Sequence, residues 1–297
     1  MKKSIIYFII NTLLILLLSG CGNTSTSGQN NSNIMEQSGV SSTTDIQYSN
    51  LADNKSQDEV IYVLQEHGIT KEQTDTFLSW VEDFNSRVTT PELPDGFVSV
   101  EGDYVDYSKV LFDLKKLEDG TFLPEANCRL TAFLLMKNNI QTNEKTDDTD
   151  TYLMFDIEAI NTYEQFKMSK TDQSNFTALY NWISVDGTTT LDEHIQKIQE
   201  AWNDRDIIVD GTQGISLINV YLHSPLEEVR FVGHTGILVE TEKGLLFVEK
   251  FGPEAPFQAT KFNDKNELKT YLLARPDLYG DDTELAPIVM ENNTVLE

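Results

Sequence analysis

The chain has 297 residues, with 48 acidic and 22 basic side chains and a formal net charge of −26. Such a field repels nucleic acid and anionic lipid headgroups. The two cysteines, Cys21 and Cys128, form no paired metal pattern. No His-Glu-x-x-His run or glycine-rich phosphate loop occurs either, so no metal or other cofactor is expected.

Residues 1–20 read as a secretory signal. Lys2 and Lys3 precede an uncharged run from Ile5 to Leu18, too short to span a bilayer, and Leu18-Ser19-Gly20-Cys21 follows. That tetrapeptide resembles the lipobox of bacterial lipoproteins. The resemblance implies cleavage before Cys21, a diacylglycerol anchor on Cys21 and an extracytoplasmic location on the bacterial cell membrane. With so acidic a chain, attachment then rests on acyl chains rather than on charge. Residues 21–45 are rich in Ser, Thr and Asn and lack aromatic side chains. They are expected to form a disordered tether reaching on the order of 25 Å.

Residues 46–297 are long enough for one sizeable core. Ser56-Gln57-Asp58-Glu59 predicts a helix start, with a stop at His67-Gly68. Thr70-Lys71-Glu72-Gln73 predicts a second start, with Phe77, Leu78, Val81 and Phe84 on one face. A short helix is expected over 108–117. The apolar run after Asn127-Cys128 predicts a helix buried nearly all round. Residues 141–151 have the composition of a solvated loop. Leu191, Ile195, Ile198 and Trp202 define an amphipathic helix that turns His194 toward solvent. Beyond Gly214 the pattern changes to strands at 215–222, 229–240 and 245–251, the last two joined through Glu242-Lys243-Gly244. Helices first (46–205) and an antiparallel sheet second (206–297) predict an α+β fold, with the cysteine helix packed on the sheet.

With Asn127 as N-cap, Cys128 falls in the first helical turn, where free N–H groups and the helix dipole favour a thiolate. The Cys128 N–H is a candidate oxyanion donor, and Asn127 or Tyr107 a candidate second. Of the four histidines, His234 sits in a long strand between Gly233 and Gly236, where close approach of a substrate or helix is expected. His223 is the reserve candidate. If Lys243 and Gly244 make the hairpin turn, Leu238 lies opposite Glu249 and Glu249 shares a face with His234. A three-residue turn favours Lys250 instead, or a partner outside the hairpin such as Gln258.

A cysteine at a helix N-terminus, a later strand histidine and a polar residue on the next strand resemble the papain-like thiol hydrolases, especially the NlpC-type cell-wall peptidases. By that resemblance Cys128 is the nucleophile, His234 the general base and acid, and Glu249 the orienting group. Asn-Cys-Arg-Leu-Thr-Ala-Phe, Phe-Val-Gly-His-Thr-Gly and Leu-Phe-Val-Glu-Lys also resemble a family of uncharacterised Gram-positive surface lipoproteins. The expected activity is a cysteine peptidase or amidase, or an acyl transferase, acting on cell-wall peptide or a surface protein. The competing expectation is a non-catalytic lipoprotein that binds a peptide, glycan or protein partner.

Overall fold

Thirteen strands and seven α-helices occupy the described residues, 46–116, 120–143, 151–280 and 282–297, of this computed structural model. The expected signal segment, Cys21, the expected tether at 21–45 and most of the expected loop at 141–151 lie outside them. The first elements are β1 (Gln47–Ser49), α1 (Asn54–Glu66), α2 (Lys71–Ser86), β2 (Val88–Thr90), β3 (Val98–Ser99) and β4 (Leu111–Phe112). Then come α3 (Cys128–Met136), β5 (Ile140–Gln141), α4 (Met154–Thr162), α5 (Lys170–Tyr180), β6 (Ile183–Ser184), α6 (Leu191–Asp204) and β7 (Ile208–Val209). The chain closes with β8 (Ile215–Ser224), β9 (Val229–Thr241), β10 (Gly244–Lys250), β11 (Phe257–Phe262), α7 (Lys265–Ala274), β12 (Ile288–Glu291) and β13 (Thr294–Val295).

The fold is α+β. One antiparallel sheet runs β13-β12-β8-β9-β10-β11-β1-β3, with β6 added on β9. Its central strands are apolar on both faces because both are covered. Leu217, Tyr221, Ile237 and Val248 face the core shared with α1, α2, α3 and α6, whereas Ile218, Val220, Leu238 and Phe247 face α7. The expected split into a helical half and a sheet half is therefore corrected. Strands β1 and β3 come from the N-terminal part, β1 pairing with β11, and α7 comes from the C-terminal part. Strand pairing is decided by long-range contact and leaves little local signature.

Three local expectations also change. Helix α1 starts three residues early, because the Asp53 side chain accepts from Ser56 N at 3.0 Å and makes Asp53 the cap. The helix expected at 108–117 is replaced by β4, whose Phe112 pairs with Val88 and packs on the Phe84 ring. His194 is buried, at 1 % exposure, because the Arg230 Nε donates to its Nδ1 at 2.9 Å. By contrast, the capping box at Thr70 and Gln73 forms as the sequence predicts.

Candidate functional site

Helix α3 begins where the sequence says. The Asn127 Oδ1 accepts from Leu130 N at 2.9 Å, the Asn127 carbonyl accepts from Thr131 N, and Cys128 is the first helical residue. The backbone N–H groups of Cys128 and Arg129 have no helical acceptor, as at every helix start, and α3 packs on β9 and β10.

The sheet leaves a gap for this helix end. Strand β10 pairs with β9 only as far as Glu249↔Gly236, and β6 pairs with β9 only at 229–230. Between them the β9 edge has no strand partner among the described residues, and Arg129 fills part of it by donating to the Val232 carbonyl at 2.9 Å. A shift in the β8–β9 register between Val220 and Tyr221 leaves Gly233 without a β8 partner, just before His234.

The Cys128 thiol and the His234 imidazole lie side by side and act on each other's proton affinity. His234 Nε2 lies 2.6 Å from Glu249 Oε2, which leaves Nδ1 for the sulfur. The hairpin reaches this geometry by a register two residues from the expected one. Thr241 pairs with Gly244, so Glu242 and Lys243 make the turn, Leu238 faces Phe247 and Glu249 faces Gly236. A two-residue slip preserves the face, so Glu249 stays beside His234. Lys250 points to the other face, where its Nζ lies 3.6 Å from the centre of the Phe84 ring and reaches the Ala255 carbonyl. Burial holds that ammonium well below its usual pKa.

A second layer fixes Glu249. The buried Arg275 Nη1 donates to Glu249 Oε2 at 2.9 Å, and its Nη2 donates to Asp277 Oδ2 at 2.7 Å and to the Phe251 carbonyl at 2.9 Å. Gln258 Nε2 reaches Glu249 Oε1 at 3.3 Å, and Gln258 Oε1 accepts from the Tyr107 hydroxyl at 2.7 Å. Gln258 and Tyr107 thus support the carboxylate rather than an oxyanion. Tyr107 also accepts from Asn50 Nδ2. Asn127 is likewise committed, since its Nδ2 donates to Asp156 Oδ1 at 2.6 Å. The backbone N–H groups at Cys128 and Arg129 are the remaining candidate donors.

Burial pushes the Cys128 thiol up, but the His234 hydrogen bond and the charges of His234 and Arg129 outweigh it and leave its pKa lowered. Burial and Arg275 push the His234 imidazole down, yet Glu249 and the thiol outweigh them and leave it raised. Both directions favour a thiolate–imidazolium pair. Asp156, fully buried, holds Arg129 with a 2.6 Å ion pair. The thiol itself is nearly covered: Cys128 is 8 % exposed and His234 2 %. A cavity of about 170 Å³ borders Glu125 and Ala126, just before the N-cap, with Trp80 and Phe166 among its walls.

Gly233 and Gly236 do not make room for a substrate. A Cβ at Gly233 would overlap Leu222, and one at Gly236 the Phe247 ring, so both serve core packing. His223 stands apart, on β8 beside His194 and Arg230. Arg129, Asp156 and Arg275 were not singled out in the sequence. Arg129 had a signal, as a charge beside the candidate nucleophile; Asp156 and Arg275 had none, being brought in from distant helices.

A family model described as Domain of unknown function (DUF4300) matches residues 47–296. No curated protein and no solved structure matches the chain.

Proposed function

The chain belongs to the DUF4300 family, a domain of unknown function, and from the geometry around Cys128 we propose that it is a thiol hydrolase acting on amide bonds. The observation that carries this reading is the buried His234–Glu249 pair beside the Cys128 thiol, which starts a helix. A thiolate there attacks the amide carbonyl, and the tetrahedral oxyanion lies near the N–H groups of Cys128 and Arg129. The His234 imidazolium gives its proton to the leaving amine as the C–N bond breaks, which leaves a thioester. His234 then takes a proton from water, hydroxide attacks the thioester, and acid and free thiolate are released. Glu249 holds the imidazole and compensates its charge, as a triad carboxylate does.

Attachment by a diacylglycerol on Cys21 belongs to the same reading and is supported by the Leu18-Ser19-Gly20-Cys21 sequence alone. An anchored, tethered enzyme would be concentrated at the membrane-proximal cell wall, which favours wall peptide or a surface protein as substrate. Loss of detergent-phase partitioning in a Cys21→Ser variant tests the anchor.

The 8 % exposure of Cys128 favours a second reading, a non-catalytic binding protein in which the same cluster is structural. Alkylation of Cys128 against pH separates the two. The enzyme reading expects reaction in the folded protein well below the ordinary thiol pKa of about 8.5, slowed in His234→Ala. A thiol that reacts only after denaturation sinks it.

A further inference from the structure

About 13 Å along β9 from His234, by strand rise, lies a second buried cluster. Arg230 is 0 % exposed, and its Nε donates to His194 Nδ1 at 2.9 Å. Its Nη1 donates to the Tyr221 and Ala286 carbonyls at 3.2 and 3.0 Å. Its Nη2 is buried with no hydrogen-bond partner, and no carboxylate forms an ion pair with Arg230 among the described residues. A guanidinium taken out of water without a counter-charge is strongly disfavoured, so a fold that holds one there has an unmet demand for an anion.

The two histidines do not meet that demand, and one adds to it. His194 Nδ1 accepts from Arg230, so that nitrogen carries no proton. His223, paired across the strands with Arg230, accepts from the Leu285 N–H on its Nδ1 at 3.0 Å. Its own proton therefore sits on Nε2, as a donor. Burial and the Arg230 charge hold both imidazoles below their usual pKa, His194 at about 4, and burial lowers Arg230 itself to about 10. A cavity of about 330 Å³ borders His223, Leu285 and Ala286, the last being the residue whose carbonyl receives Arg230 Nη1. Asp282 and Glu284 also border it, and Glu284 acts on both His223 and Arg230; Arg230 itself lies behind the Ala286 wall rather than on the lining.

We propose that Arg230 and His223 form a binding site for a small oxyanion, a carboxylate or a phosphate, entered from the cavity beside His223. Arg230 Nη2 supplies the charge and two N–H groups, and His223 Nε2 supplies a further donor. His194 fixes the guanidinium plane through Nε, and the carbonyls of Tyr221 and Ala286 hold Nη1, so the free edge is pre-oriented. The site stands independently of the thiol chemistry, and a Cys128→Ser variant should bind identically.

The test is thermal unfolding of the folded chain titrated with inorganic phosphate or acetate against sodium chloride at constant ionic strength. Saturable stabilisation is expected, with a Tm rise of about 3 to 6 °C at ten times Kd. Whichever anion saturates at lower concentration names the ligand's source. The rise should vanish in Arg230→Met and shrink in His223→Phe, which keeps Arg230 should the first variant fail to fold. Glu284→Gln should bind as well as the parent or better, since it removes a competing carboxylate. Equal melting in all three salts, for the parent and for Glu284→Gln alike, overturns the proposal. So does a loss of parent stability in Glu284→Gln without any anion response, which would make Glu284 the partner of Arg230.

Discussion

Arg275 and Arg230 are both fully buried beside a histidine, yet Arg275 meets two carboxylates, Glu249 and Asp277, and Arg230 meets none. Around Arg275 acids offset the cations: His234 meets Glu249, and Arg275 meets Glu249 and Asp277, although Arg275 Nη1 also lies 3.2 Å from His234 Nε2. The outcome is a raised His234 and a lowered Cys128. Around Arg230 the hydrogen-bond partners are an imidazole and carbonyls, Glu284 acts on it without forming an ion pair, and both histidines are pushed down instead. The same side-chain types thus give opposite proton affinities, and the nearest carboxylate decides which.

The largest expected effect is from Arg275→Met. It leaves Glu249 buried with an uncompensated share of charge, and a loss of about 3–5 kcal/mol in urea unfolding is expected for breaking a buried pair from one side. Arg230→Met, measured the same way, loses three hydrogen bonds but also removes an unpaired cation, so a cost of at most about 2 kcal/mol is expected. Equal losses would mean that Arg230 is compensated as fully as Arg275.

Glu249→Gln removes the charge that raises His234 while keeping its shape. The rate of Cys128 alkylation at pH 6 should fall by about tenfold or more, since one unit of pKa is a factor of ten in thiolate population. The pH profile of the parent follows from the signs. The raised His234 stabilises the fold below its unfolded pKa of about 6.5, and this contribution is lost as pH rises through its folded value. The lowered Cys128 contributes above its unfolded value of about 8.5, and this contribution is lost as pH falls through its folded value. Alkylation should therefore begin on an acid limb below pH 8.5, and Glu249→Gln should move that limb upward. The smallest effect is from Asp277→Asn, whose carboxylate is half-exposed. A change below about 1 kcal/mol in urea unfolding is expected, with the alkylation profile nearly unmoved.

Much of this arrangement is legible in the sequence because it is local. Asn127 caps α3 by a bond three residues long, so the placing of Cys128 in a first turn follows from adjacent residues. Alternation along 229–240 and 244–250 puts His234 and Glu249 on one face, and a two-residue error in the turn leaves that face unchanged. His194 shows where such reading fails. It lies off the stripe defined by Leu191, Ile195, Ile198 and Trp202, but Arg230, 36 residues away in sequence, draws it into the interior.

The α+β class, the cap and position of Cys128, and the shared face of His234 and Glu249 follow from local sequence, since hydrogen bonds and side-chain periods within a few residues set all three. Long-range packing set the meeting of thiol and imidazole at the open stretch of β9, the clamp of Arg275 and Gln258 on Glu249, the covering of the thiol, and the placing of Arg230 without an ion pair among the described residues. Those depend on which distant elements pack together, and the low dielectric they create converts proximity into charge state.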